Sequence, residues 1–370
     1  MIRLAFRNLF QNKTRLLISV GGVALALLLI LSLDAIFAGV ERQVTAYIDN
    51  SRADIFVAQK DVRNMHMAAS AIPTSAIDEV KGIGGVEDVT PILYVSNMVV
   101  AGDERNLAYI IGLPKDAQMG GVWNLASGRS QPGEGEAIID RRVAEKSGVG
   151  LGDTVEILGH TFTIVGLSNG TVNIVNSVAF ISLDDFQAMR GSPGVVSFLM
   201  VKIAPGVSDE AVAARIESEV DGVTAMPRAA FASQERRVVK DMSTDVITMM
   251  NMIGFLIGLA VMALTVYTAT LSRRKEFGVL KALGARNAHL YQAVLAQALM
   301  SVLLGFVLGV AFVWLLSGII PRLGLMLSLE IGQASLLKVG GTSLIIAALS
   351  AILPIRQIAG LDPAMVFRGK

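Results

Sequence analysis

Residues 246–271 carry no charged side chain, residues 272–286 carry six, and residues 287–321 carry none. A water-soluble fold has no place for two such long uncharged runs joined by so short a basic link. About 20 apolar residues cross the hydrocarbon core of a bilayer as a helix. An open strand there would leave its backbone polar groups without partners, so helix is the expected form. Two spans with a basic handle between them follow. The rest of the composition agrees: the chain of 370 residues is 53% hydrophobic and only 17% charged, with a mean hydropathy of +0.58. Four spans are expected, at residues 16–40, 246–271, 293–318 and 339–355, the last ending at Pro354.

Basic residues near span ends mark the cytoplasmic side. Arg3, Arg7, Lys13 and Arg15 precede the first span, and Arg356, Arg368 and Lys370 follow the fourth. Arg273, Arg274, Lys275, Lys281 and Arg286 lie between the second and third. These segments are expected inside, with both termini. The link at 319–338, with Arg322, Glu330 and Lys338, is expected outside, as is the long segment 41–245. That segment holds 27 acidic and 18 basic residues, whereas the remainder holds 4 and 14. The near-neutral total of +1 therefore hides an acidic domain inserted into a basic-flanked membrane protein. At the N-terminus, Ile2, Leu4, Ala5, Phe6, Leu9 and Phe10 share one helical face, which predicts an interfacial amphipathic helix over 1–15. The first span is too long for a cleaved signal and lacks a small-residue cleavage site.

Within the inserted segment, β-branched and aromatic runs separated by Gly and Pro predict short strands. They fall at 53–58, 93–100, 108–112, 136–140, 154–158 and 161–167, with a tight turn at Leu158-Gly159-His160 and a short helix at 141–147. Strand 54–57, helix 74–81 and strand 86–90 form one βαβ unit. Strand 198–203, helix 208–220 and strand 223–226 form another. Together they predict a ferredoxin-like α+β lobe, with a β-rich lobe between its halves. The first span is expected to run on as helix through 41–48, and the polar segment 233–245 to precede the second as helix. The two would form a stalk.

Several signals carry no chemistry. Gly82-Ile83-Gly84-Gly85 is too short for a dinucleotide fingerprint, and no G-x-x-x-x-G-K-[ST] motif occurs. Cysteine is absent, and His66, His160 and His289 are far apart. Met65-His66-Met67 is expected to be a loop rather than a soft-metal site. Asp34 is expected at the outer membrane boundary rather than in a proton relay, and Met242, Met249, Met250, Met252 and Met262 as packing residues.

Four segments resemble the MacB/FtsX family of ABC-transporter permeases: RLAFRNLFQNKTRLLISVGGVALA (3–26), GEAIIDRRVAEKSGVGLGDTVEILGHTFTIVGL (135–167), RRKEFGVLKALGAR (273–286) and PIRQIAGLDPAMVFRGK (354–370). The resemblance implies an integral membrane α-helical fold of four transmembrane helices, with an extracytoplasmic α+β domain between helices 1 and 2. It places the chain in a bacterial inner membrane, paired with a second permease copy or a paralogue. A cytoplasmic ABC ATPase dimer would use ATP and Mg, and this chain would hold no cofactor. A periplasmic adaptor or lipoprotein and membrane lipid are further implied partners; nucleic acid is not. The helix over 272–287 would be the ATPase-coupling element, through Arg273, Arg274, Lys275, Glu276, Phe277, Gly278, Leu280, Lys281, Leu283 and Gly284. The residues themselves allow that role. Phe277, Leu280 and Leu283 form an apolar stripe beside the basic side chains, suited to an apolar groove with an acidic rim. Gly284 fits a helix C-cap, and Glu276 either pairs within the helix or faces the partner. The expected outcome is export, or extraction from the outer leaflet, of an amphipathic, lipidic or drug-like molecule by mechanotransmission. The alternative is a signalling device that transports nothing and regulates an external enzyme such as a cell-wall hydrolase.

Overall fold

A computed structural model of the chain describes residues 13–172, 176–191, 194–320 and 329–360. The expected interfacial helix over 1–15 lies almost wholly outside these residues, as do Arg322 and the tail beyond residue 360. The chain divides into two compact units, at Gly39/Val40 and Met242/Ser243. It opens with helix α1 (Lys13–Asn50). The inserted domain follows as β1 (Ile55–Gln59), β2 (Ile72–Pro73), α2 (Ser75–Lys81), β3 (Val86–Ala101), β4 (Glu104–Leu113), β5 (Leu125–Gly128) and β6 (Glu136–Asp140). Next come α3 (Arg141–Ser147), β7 (Thr154–Ile157), β8 (His160–Ser168), β9 (Ser177–Ser182), α4 (Leu183–Arg190), β10 (Val195–Val196), β11 (Phe198–Ile203), α5 (Asp209–Glu219) and β12 (Val223–Pro227). Helices α6 (Arg228–Ser272), α7 (Arg274–Ala282), α8 (Asn287–Ile319) and α9 (Gln333–Ala359) complete it.

The inserted domain is organised by one strand. β3 runs for 16 residues. Its first half pairs with β11, from Val86↔Ile203 to Ile92↔Phe198, and its second half pairs with β4 from Leu93↔Gly112 to Ala101↔Glu104. The sequence predicts two strands here because Pro91 interrupts the run. In the sheet Pro91 sits opposite Leu199, and the strand continues through it. The order β12-β1-β11-β3, antiparallel throughout, with α2 and α5 as the crossovers, is a ferredoxin-like arrangement. Beyond β3 the same sheet continues as β4-β9-β6-β8-β5. β9 pairs parallel with β4, and β6 parallel with β8.

Side chains alternate across a strand, and three cores result. On β1, Ile55 and Val57 join Leu199, Val201, Val212 and Ile216 under α2 and α5. Phe56 and Ala58 point the other way, into a core with Tyr47, Ile48, Phe180, Phe198 and Phe231. Phe56 and Phe231 stack at 4.9 Å. A third core gathers Leu93, Ile110, Ile139, Phe162 and Phe186. Leu158 and Gly159 both take positive φ, 53° and 81°, as a two-residue type I′ hairpin turn requires. Asp140 caps α3 by accepting from Arg142 N, and its buried second oxygen accepts from Thr171 N and Thr171 Oγ1.

Among the described residues, four helices are long and apolar enough to cross a membrane. Helix α9 passes through Pro354 to Ala359, correcting the expected end of the fourth span at that proline. It also begins at Gln333, so Lys338 lies on the helix and not in the link between spans three and four. Asp34 accepts from Lys338 Nζ at 2.7 Å, and Glu330 N donates to Ala35 O at 3.0 Å. The boundary acid of the sequence reading thus holds an ion pair. The helices approach through small residues, as spans do where apolar burial gives no drive. A methyl group on Gly22 would sit 2.4 Å from Val261 Cγ1, and one on Gly305 2.8 Å from Val23 Cγ1, whereas Gly21 has nothing within 4 Å. Gly22→Ala and Gly305→Ala should therefore destabilise the unit by about 1–3 kcal/mol, and Gly21→Ala should be near neutral. Thermal melts in detergent with a shift at Gly21 equal to that at Gly22 would contradict this packing.

Candidate functional site

The basic link folds as a short helix that packs one face on its own unit. Helix α6 stops at Ser272, and Arg273 breaks it with φ −109°. Phe277 N then donates to Arg273 O, starting α7 in a new direction. At the far end, Gly284 takes φ +90°. Gly284 N donates to Lys281 O, and Ala285 N to Leu280 O, the bond pair of a Schellman motif. Gly284 follows the C-cap, which is Leu283. The helix covers Arg274–Ala282, shorter than the 272–287 expected.

Its faces differ from the sequence reading. Phe277 and Gly278 are buried, Phe277 in the core of its own unit with Leu290, Val294 and Ile358. Leu280 packs on the same cluster. Leu283 points outward and is 79% exposed. Residues spaced three and three apart drift on a helix that turns about 100° per residue, so Phe277 and Leu283 stand about 120° apart. The stripe expected to meet a partner is therefore split: Phe277 and Leu280 anchor the helix, and Leu283 is offered. Lys281 also turns inward, donating to Ile358 O at 3.3 Å and Ala359 O at 3.0 Å. These are carbonyls of the last turn of α9, where the negative end of the helix dipole attracts a cation. Glu276 pairs with Arg273, the residue that precedes the helix, at 3.5 Å. Arg274, Lys275, Val279, Ala282, Leu283, Gly284 and Arg286 remain exposed. Val279, absent from the expected set, lies between Lys275 and Leu283 on that outward face.

The domain-side ends of α1 and α6 are tied to the inserted domain. Tyr47, Ile48, Phe231 and Ala232 enter its core, and Arg236 Nη1 donates to Thr45 Oγ1 at 3.4 Å. Glu235 is fully buried. Its carboxylate accepts from Met65 N and His66 Nδ1, pinning the loop between β1 and β2 to α6. The His66 ring lies tilted against Tyr109, with centroids 4.5 Å apart. Burial, the Tyr109 phenol and the Glu235 carboxylate push the Tyr94 hydroxyl up. Burial pushes Tyr109 to about 12, with Glu235 adding to the rise and a bond to Asn176 opposing it. The loop at Met65-His66-Met67 is as expected; its anchor is not visible in sequence.

A four-helix membrane unit with an α+β domain inserted after the first span defines a polytopic membrane protein of a narrow class. The model of the MacB-like periplasmic core domain matches residues 16–219, and that of the FtsX-like permease C-terminal region matches residues 248–363. This chain belongs to the MacB/FtsX family of ABC transporter permeases. It is 22% identical to an uncharacterised ABC transporter permease of Mycobacterium tuberculosis, over 100% of both chains. It is also 22% identical to one of Methanocaldococcus jannaschii, over 100% of this chain and 98% of the other. The crystal structure of the periplasmic region of MacB from Actinobacillus actinomycetemcomitans aligns at a TM-score of 0.39 and 14% identity, covering 50% of this chain and 92% of that one.

Proposed function

We propose that this permease couples ATP hydrolysis by a separate cytoplasmic ABC ATPase to movement of the inserted domain outside the membrane, and so exports or extracts an amphipathic molecule. The observation that carries the reading is the length of two helices. α1 has 38 residues and α6 has 45, about 57 and 68 Å at 1.5 Å per residue, against a hydrocarbon core of about 30 Å. Each contributes residues to both units without a break, which suits a rod. The exposed face of α7, with Lys275, Val279 and Leu283 flanked by Arg274 and Arg286, is the docking surface in this reading. Both termini lie on the same side as α7, and two copies work together on an ATPase dimer.

The test is reconstitution in vesicles with the ATPase. Asp103→Cys on the β3–β4 turn should react with an impermeant maleimide only from the side opposite the ATPase; the chain contains no other cysteine. Labelling from the ATPase side alone would sink the assignment.

A further inference from the structure

A row of alternating charge crosses one end of the ferredoxin-like part of the sheet. Arg228, directly after β12, donates its backbone N–H to Asp54 O at 2.8 Å. Asp54 forms an ion pair with Lys202 at 2.9 Å, and Lys202 lies opposite Asp88 in the register of β11 with β3. Across β12, β1, β11 and β3 the charges therefore run plus, minus, plus, minus. All four residues line a cleft of about 580 Å³ in the inserted domain. Small-molecule sites span about 300–1,000 Å³.

The middle of the row is satisfied and its ends are not. The two Asp54 carboxylate oxygens accept from Lys202 Nζ and from Ile203 N. Among the described residues, the side chains of Arg228 and Asp88 make no ion pair or hydrogen bond. At each end the backbone departs from regular geometry and a second side chain of the same sign joins the first. On β3 the register passes from Asp88↔Lys202 to Val86↔Ile203, so Glu87 is the extra residue of a β-bulge, and it lines the cleft with Asp88. Arg52, before β1, takes φ +65° and lines the cleft with Arg228. Neither Glu87 nor Arg52 makes an ion pair or side-chain hydrogen bond among the described residues. Bulges re-aim side chains beside active sites, and non-glycine residues in the left-handed region gather at ligand clamps. A ladder that served only the sheet would gain nothing from a second unpaired charge at each end, because like charges side by side repel.

We infer that this cleft binds a zwitterion whose two charges stand as far apart as the ends of the row, and that its ligand is a short extended peptide. From β12 to β3 is three strand spacings of about 4.8 Å, or about 14 Å. An extended chain covers about 3.3–3.6 Å per residue, so a tetrapeptide reaches from end to end. Its terminal carboxylate meets Arg52 and Arg228, whose guanidinium forks match that group. Its terminal ammonium meets Glu87 and Asp88. A compact zwitterion reaches one end only. All six side chains belong to the inserted domain, and the site does not depend on coupling to an ATPase.

The test is calorimetric titration of the full-length permease with tetraglycine, in a non-ionic detergent at fixed low ionic strength. Saturable binding is expected. N-acetyl-tetraglycine, tetraglycine amide and O-phosphoethanolamine should each bind at least tenfold more weakly. Arg52→Asn and Glu87→Gln should each weaken tetraglycine at least fivefold. Arg52→Asn should leave the amide's affinity unchanged, since that ligand has no carboxylate to lose, and Glu87→Gln should leave that of the N-acetyl peptide unchanged. Both residues are exposed, so both variants should melt with the parent. Equal binding of phosphoethanolamine would assign the cleft to a compact headgroup and overturn the peptide. No saturable heat, blocked peptides that bind as well as tetraglycine, or variants that weaken every ligand alike would leave the row a structural ladder and would also overturn the inference.

Discussion

Val279→Glu combined with Leu283→Glu should abolish ATPase association while the permease still folds. Both side chains are exposed, at 43% and 79%, so nothing in the chain's own core is disturbed. In a docked complex each carboxylate would be buried against apolar surface without a partner, and an unpaired buried charge is among the costliest changes to an interface. A loss of at least about 2.7 kcal/mol, a hundredfold in affinity, is expected. Lys275→Ala should cost only about 0–1 kcal/mol, as a rim charge does. Phe277→Glu should fail differently, by unfolding α7 from its own unit, since Phe277 lies in that core. Copurification and melting measured together separate the outcomes. An ATPase that still binds the double variant at parental strength would remove α7 from the interface.

Glu235→Ala should destabilise the inserted domain by about 3–5 kcal/mol, the range for breaking a buried pair by deleting one partner. It strands Met65 N and the His66 ring, which the carboxylate now satisfies. Glu235→Gln retains an acceptor and should cost less. Hydrogen exchange locates the effect: the Met65 amide should lose at least about a hundredfold of its protection, since 1.4 kcal/mol is tenfold. Unchanged Met65 exchange in the alanine variant would show that Glu235 does not hold the loop.

What was legible in sequence follows from how far each signal reaches along the chain. β6, α3 and β11 are predicted with the bounds observed, because each is a local run closed by a cap or a turn. The four spans are equally local: length and hydropathy suffice. β9 escapes notice. Ser177–Ser182 is buried at every position, and a central strand covered on both faces shows no alternation. β3 is divided by Pro91, whose tolerance in the sheet depends on β11 alongside. The basic link is legible as a segment, but its buried and exposed faces are not. The phase of α7 is set by Phe277 entering a core with Leu290 and Ile358 and by Lys281 reaching α9. Those contacts lie too far along the chain for periodicity to find. Glu235 gives no signal, being one acid in a polar run whose burial is decided by a loop about 170 residues away.

The measurement closest to the centre of this account is the distance between spin labels at Asp103→Cys on two copies of the permease, reconstituted with the ATPase. ATP should shift that distance. Four glycines inserted at both Gly39/Val40 and Met242/Ser243, the boundaries between the units, should remove the shift. They should leave ATPase association intact, because α7 lies outside both sites. They also spare Tyr47, whose burial in the domain core makes a break nearer to it ambiguous. An ATP-driven shift that survives both insertions would contradict transmission through α1 and α6.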